Sequence, residues 1–181
     1  MAKQYGFVIN MQDCYGCKTC AVVCKSQNKT NKGVNWRKVR EFTTDDPHSQ
    51  NFISMSCNHC DEPQCLKVCP VSAYTKREDG IVVQDHDRCL GCRSCVMACP
   101  YSAPQYDPEE KKVSKCNMCA DLIDQGLQPK CVELCPGHVL KFGEISELRA
   151  EYGDDIEVVE RAYHMPSHKI SKPNVVIIAA H

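Results

Sequence analysis

Sixteen cysteines dominate the chemistry open to this chain, and they fall into four groups of four with none left over. The first group is Cys14-x2-Cys17-x2-Cys20-x3-Cys24, and the second is Cys57-x2-Cys60-x4-Cys65-x3-Cys69-Pro70. The third is Cys89-x2-Cys92-x2-Cys95-x3-Cys99-Pro100, and the fourth is Cys116-x2-Cys119-x11-Cys131-x3-Cys135-Pro136. Three cysteines at two-residue intervals let one short loop wrap three iron corners of a cubane [4Fe–4S] cluster. A fourth, about one helical turn further on, points away toward a different cluster. A proline directly after it cannot continue the helical hydrogen-bond ladder and turns the chain aside. Three groups have that proline; the first has Lys25 in its place. Zinc is the competing occupant, since it takes four cysteines from two separated Cys-x2-Cys knuckles. The second to fourth groups can be parsed that way. The first and third confine all four cysteines to a stretch too short to divide easily. The complete use of the cysteines points to four [4Fe–4S] clusters, all sixteen thiolates binding iron, and hence to electron transfer.

Composition narrows the remaining options. The chain has 181 residues, 22 Lys+Arg against 23 Asp+Glu, and a formal charge of -1. This balance gives no basic footprint for nucleic acid. With 7 Tyr, 4 Phe and 1 Trp, the apolar core is thin for the length, so bound groups must help hold the fold. The first ten residues contain no apolar signal region or cleavage site. Cysteines this dense are then expected to meet a reducing cytoplasm, where they read as metal ligands and not as disulfides. No stretch reaches the roughly 20 apolar residues needed to span a bilayer; the longest clean run is Val175 to Ala180. No glycine-rich nucleotide loop is present, nor any nucleophile triad or carboxylate pair beyond chance, so no catalytic residue is assigned.

The elements that position the cysteines are partly legible. Between Cys69 and Cys89, the turn Glu78-Asp79-Gly80 precedes the apolar run Ile81-Val82-Val83, which signals a β-hairpin. The stretch from Cys57 to Cys99 thus reads as one bacterial-ferredoxin unit. A similar pattern follows Cys99, with Gln105-Tyr106, a polar turn at 107–110, and Val113. It recurs after Cys135, where Val139 to Phe142 is strand-like and Gly143 ends it. The Cys-x3-Cys steps suit a helical turn. Residues 144–152 read as a short amphipathic helix with Ile145 and Leu148 on one face and Gly153 as its stop. The expected fold is α+β, with two ferredoxin-like halves, one inserted in the other. The outer half comprises residues 1–50 and 105–150, and within it 25–50 is an insertion with a weak strand from Val34 to Phe42. The inner half is 51–104. Residues 151–181 form a C-terminal tail, with an extended strand over 171–178 that either covers a sheet edge or docks on a partner; packing is the preferred role.

The sequence also resembles a known family, the electron-transfer (beta) subunits of molybdopterin oxidoreductases, and most closely those of the dimethyl sulfoxide reductase type. The resemblance covers nearly the whole chain. It is carried by Gln4-Tyr5-Gly6-Phe7, Cys14-x-Gly16-Cys17-Lys18-Thr19-Cys20 and Ser56-Cys57-Asn58-His59-Cys60. Lys76-Arg77-Glu78-Asp79-Gly80, Cys99-Pro100-Tyr101-Ser102-Ala103-Pro104-Gln105-Tyr106, Phe142-Gly143-x-Ile145-x-Glu147-Leu148 and Lys172-Pro173-Asn174 carry it further. The resemblance implies a nested ligation. Cys14, Cys17, Cys20 and Cys135 would hold a first cluster, and Cys24, Cys116, Cys119 and Cys131 a second. Cys57, Cys60, Cys65 and Cys99 would hold a third, and Cys69, Cys89, Cys92 and Cys95 a fourth. The first would lie toward a molybdopterin catalytic subunit and the fourth toward an integral-membrane anchor that oxidises quinol. The chain itself would be non-catalytic. Clusters would be assembled in the cytoplasm, and the family allows export with a signal-bearing partner to the outer face of the membrane. An electron-transfer subunit of a formate dehydrogenase, hydrogenase, or polysulfide or tetrathionate reductase shares the cysteine scheme, and a free-standing polyferredoxin is a further alternative.

Sixteen thiolates carry more negative charge than four oxidised cores cancel, so the loaded chain must recruit N–H donors and cations. Lys18, Lys25, Lys67, Arg88, Arg93 and Lys115 adjoin ligands and are candidates, although an ordinary surface role is as plausible for each. His59, between two ligands, is read as packing or hydrogen-bonding, and Trp36 as either a buried packing residue or an interface anchor.

Overall fold

The computed structural model describes residues 3–43 and 50–180; positions 44–49 of the expected insertion, and residues 1, 2 and 181 at the ends, lie outside the described residues. In chain order, the first elements are strand β1 (Tyr5–Asn10), helix α1 (Thr19–Asn28), β2 (Lys38–Thr43), β3 (Gln50–Met55) and α2 (Gln64–Lys67). Then come β4 (Tyr74–Lys76), β5 (Val82–Gln84), α3 (Ser94–Ala98), β6 (Gln105–Asp107) and β7 (Lys112–Ser114). The last are α4 (Ala120–Ile123), α5 (Lys130–Glu133), β8 (Leu140–Glu144), α6 (Ile145–Tyr152), α7 (Ile156–Ala162), a 3₁₀ turn at His168–Ile170, and β9 (Val175–Ile178). The architecture is a mixture of short helices and small sheets. Among the described residues no helix is long and apolar enough to cross a membrane.

β1 is the structural axis. It pairs antiparallel with β8 and parallel with β9. Its apolar run faces both ways, as strand alternation dictates. Phe7 and Ile9 join the main core with Ile53, Leu140, Val175 and Ile177, while Val8 packs on the other face with Ile145, Leu148 and Val176. A short continuous apolar run is the signature of such a doubly buried strand, and this N-terminal strand is absent from the elements expected above. α6 covers this second face with Ile145 and Leu148, and Gly153 (φ 72°) follows its last residue, as expected. β8 differs from expectation: Gly143 does not end the strand but pairs with Gly6 inside it. The tail strand occupies Val175–Ile178 and lies in the chain's own sheet.

Three antiparallel hairpins complete the fold. β4 and β5 pair around the turn at 78–80, where the Asp79 carboxylate accepts the Ile81 N–H at 3.1 Å. β6 and β7 pair around 108–111. The weak strand expected over 34–42 is found at Lys38–Thr43, paired along its length with β3.

Candidate iron–sulfur centres

Each ligand loop owes its shape to backbone positions that bend the wrong way for a helix or strand. Gly16 and Lys18 in the first group have φ of 69° and 61°, and Gly91 and Arg93 in the third have 69° and 65°. In each loop the glycine permits a left-handed turn inside the triplet, and a cation takes the second such turn just before the helix starts. The two glycines are also sterically required. A Cβ at Gly16 would lie 2.6 Å from the Phe52 ring, and one at Gly91 would lie 2.0 Å from the Lys111 carbonyl oxygen.

The fourth cysteine of each group is set by the turn on its C-terminal side. After Cys69-Pro70, Cys99-Pro100 and Cys135-Pro136, the third residue on (Ser72, Ser102, His138) has φ of 48–51°. Each of these donates its N–H to the cysteine's own carbonyl at 3.0–3.2 Å. The helices before these prolines span only four or five residues. The first group lacks the proline, and α1 runs on past Cys24 to Asn28 over ten residues.

The sixteen thiols gather in sets drawn from distant parts of the sequence. Cys57, Cys60, Cys65 and Cys99 line one hollow with Val82, Tyr101, Lys115 and Ser171. Cys14, Cys17, Cys20 and Cys135 line another, and Cys69, Cys89, Cys92 and Cys95 a third. Cys24, Cys116, Cys119 and Cys131 are all buried. Burial first, and then the proximity of Cys116, Cys131 and Cys119, pushes the Cys24 thiol well up. Among the described residues no three His, Cys, Asp or Glu side chains converge tightly enough to hold one metal ion. In three sets the four thiols line one common hollow. A donor set of four soft thiols around such a space fits a [4Fe–4S] cubane better than a zinc ion bound at about 2.3 Å from each sulfur.

The electrostatics agree with that fit. Burial pushes the Cys60, Cys65 and Cys116 thiols up to about 12. Thiolates in these positions therefore need positive iron and N–H donors to be stable. Backbone donors are in place: Ala73 N–H lies 3.3 Å from Cys69 Sγ, Gly91 and Val113 N–H 3.4 Å from Cys89 Sγ, and Met118 N–H 3.3 Å from Cys116 Sγ. Cys17 and Cys92 are the two exposed thiols. They occupy equivalent places before α1 and α3, and the Thr19 and Ser94 hydroxyls hold each below the usual thiol range.

The sets also adjoin one another in a line. Cys20 packs in the main core with Cys131 and Cys135, linking the first set to the second. Cys57 and Cys116 pack together with Ala103, Trp36 and Cys99, linking the second to the third. Cys65 packs with Cys69, Cys89 and Cys95 around Tyr74 and Val82, linking the third to the fourth.

Of the candidate cations, Lys115 alone is buried. Its Nζ donates to the carbonyls of Val82 and Cys116. Lys25 instead binds the carbonyls of Thr30, Asn31 and Val34, Lys67 pairs with Glu62, and Arg93 stacks on Tyr106 at 3.6 Å. His59 is fully buried, with Nδ1 accepting the Val82 N–H at 3.0 Å. Burial and nearby cations hold it neutral. Trp36 is half-buried and donates Nε1–H to Ser114 Oγ at 2.9 Å. Arg37, Ser54, Tyr74 and Ser171 also surround the thiols, and cysteine spacing gives no sign of them. Arg37 sits in the bend just before β2 and is buried, while Arg40 in that strand is exposed.

A family profile described as "4Fe-4S dicluster domain" matches residues 48–145. The sequence is 44% identical to the B chain of anaerobic dimethyl sulfoxide reductase from Escherichia coli (strain K12), over 98% of this chain and 89% of that one. It is 40% identical to the B subunit of tetrathionate reductase from Salmonella typhimurium, over 80% of this chain and 59% of that one. The B chain of polysulfide reductase from Wolinella succinogenes is 38% identical, over 83% and 82% respectively.

Proposed function

Because the protein belongs to the 4Fe-4S dicluster family of reductase iron–sulfur subunits, alongside the B chain of anaerobic dimethyl sulfoxide reductase, we propose that it relays electrons between a quinol-oxidising membrane subunit and a molybdopterin catalytic subunit. It is an iron–sulfur electron-transfer subunit carrying four [4Fe–4S] clusters. The bound clusters supply one-electron chemistry at potentials that proteins tune over roughly -700 to +450 mV. Everything else required of the site is done by the polypeptide: thiolates hold, N–H groups and hydroxyls bond to sulfur, and packed side chains exclude water.

The ligation is nested. The first cluster takes Cys14, Cys17, Cys20 and Cys135; the second Cys24, Cys116, Cys119 and Cys131. The third takes Cys57, Cys60, Cys65 and Cys99; the fourth Cys69, Cys89, Cys92 and Cys95. The halves follow the same nesting, an inner ferredoxin-like unit at 51–104 inside an outer one at 1–50 and 105–150. The observation that carries this reading is the sharing of one cavity by Cys99 with Cys57, Cys60 and Cys65, while its sequence neighbours Cys89, Cys92 and Cys95 line another with Cys69.

The two ends of the line support docking. Tyr15 and Val22 are 58% and 66% exposed beside the first set, and Leu90 and Met97 are 69% and 88% exposed beside the fourth. The first end faces the catalytic partner and the fourth the membrane anchor. The protein catalyses nothing alone, its clusters are loaded in the cytoplasm, and a signal-bearing partner carries the complex to the outer face. The catalytic partner decides the terminal substrate, as the similarity to tetrathionate and polysulfide reductase chains illustrates.

Cys99→Ser tests the ligation. Electron paramagnetic resonance of the variant should show alteration of the single cluster shared with Cys57, Cys60 and Cys65. Loss of the signal belonging to Cys89, Cys92 and Cys95 would overturn the nested scheme. Recovery of the native chain as a monomer, free of any molybdoprotein, would overturn the relay role.

A further inference from the structure

Arg37 is a cation buried in the protein interior, 2% exposed. Its Nη1 donates to the Ser54 carbonyl at 2.9 Å and to Ser54 Oγ at 3.1 Å, and its Nη2 donates to Ser56 Oγ at 2.9 Å. The guanidinium lies 4.9 Å from the centroid of the Phe7 ring. Among the described residues, Nε has no hydrogen-bond partner and no carboxylate forms an ion pair with the group.

A guanidinium does not give up its proton in a protein. Buried without a counter-charge it is strongly destabilising. The groups that oppose its burial penalty here are thiols: Cys131, Cys116, Cys20 and Cys24, in that order, favour its charged form. Cys20 is linked to it through one hydroxyl, because Ser54 Oγ lies 3.2 Å from Cys20 Sγ while accepting from Nη1. Cys20 belongs to the first set and the other three to the second, and the Phe7 ring under the guanidinium lies in the same core cluster as Cys20 and Cys131.

We propose that Arg37 is the shared internal counter-ion of the first and second clusters and raises the reduction potential of both. The inference rests on the nested ligation above. An oxidised cubane with four thiolates is already anionic, and reduction adds a further negative charge. A fixed cation in a low-dielectric interior stabilises the reduced state more than the oxidised one. Placed between two such groups, one cation acts on both. The fourth set serves as an internal control, since its neighbouring cation, Arg93, stacks on Tyr106 near the surface.

A purely structural role would also be met by the hydrogen bonds to Ser54 and Ser56 and the contact with Phe7. Arg37→Gln keeps hydrogen-bond donors without charge, Arg37→Met keeps an apolar stem, and Arg37→Lys keeps charge. Each variant is prepared in the native complex and titrated potentiometrically by electron paramagnetic resonance. Iron and sulfide content and four titrating signals are first established in the parent preparation. Absence of four clusters there is a failure of the ligation reading and not of this inference.

The neutral variants are expected to weaken reduction of the first two clusters by about tenfold or more, equivalent to about 59 mV for one electron. The other two should stay within about threefold of the parent, and Arg37→Lys should keep most of the parent behaviour. If the neutral variants fail to hold clusters, the expected pattern is loss of the first two alone, with Arg37→Lys retaining them. Unchanged potentials in both neutral variants, equal shifts at all four clusters, or the same loss in Arg37→Lys would each overturn the proposal.

Discussion

At Gly91 both conformation and space exclude a side chain, because φ is 69° and a Cβ would meet the rigid carbonyl of Lys111 at 2.0 Å. Left-handed backbone costs about 1–2 kcal/mol in an L-residue, and the clash adds to it. Gly91→Ala should therefore displace the 89–95 loop and selectively lower occupancy of the fourth cluster, as read by iron content and by loss of one resonance signal. Gly33→Ala is the contrast. Its Cβ meets nothing within 4 Å, so only the backbone term at φ 87° applies, and all clusters should survive. At this scale the cysteines were legible because their spacing is itself the chemistry. Of the supporting charges, Lys115 was legible and the others were not. Lys18, Lys25, Lys67 and Arg93 adjoin ligands in sequence, yet Lys25 and Lys67 bind carbonyls and a carboxylate instead. Arg37 is remote from every cysteine in sequence, and only folding brings it to Cys20 and Cys131. Local adjacency does not report burial.

The elements are short because the ligand groups interrupt them. Proline after the fourth cysteine stops α2, α3 and α5 within a turn, and its absence lets α1 run on. The hairpins at 74–84 and 105–114 were legible from turn chemistry between apolar residues. The N-terminal strand was not, because Phe7-Val8-Ile9 is an apolar run too short to tell a strand from a buried helix segment by periodicity. Its partner β9 is stabilised by burial: Ile177 is 1% exposed. Ile177→Ala should cost about 2–5 kcal/mol, measured as a lower denaturation midpoint, with cluster spectra of the surviving folded protein unchanged. Arg77 links the β4–β5 hairpin to the segment after α4, through Asp124. The Arg77 hydrogen bond holds the Asp124 carboxyl below its usual range. The sign follows: this tie is intact above the ordinary carboxylate value near 3.9, and is lost as pH falls through the depressed folded value. A carbon-detected titration of Asp124 should show the depression, and Arg77→Gln should abolish it.

Across the whole molecule, thiols and hydrocarbons share one interior. Cys20, Cys131 and Cys135 pack with Phe7, Ile9, Leu140 and Ile177, so the cofactors and the core are not separable layers. Oxidative removal of iron should therefore abolish the cooperative thermal transition seen by near-ultraviolet circular dichroism, and not merely bleach the visible spectrum. The line of sets through Cys20–Cys131, Cys57–Cys116 and Cys65–Cys95 could not be read from the sequence, since spacing defines groups but not which groups touch. The position of β1 between β8 and β9 also has a bearing on synthesis. β1 leaves the ribosome before β8 and β9 and must wait for both before its edges are satisfied, and the cavity around Cys14, Cys17 and Cys20 waits for Cys135. The fourth set, lined by residues 69–113, can gather while β1 is still unpaired, so these elements close from the inside outward and β1 is left long in need of a chaperone.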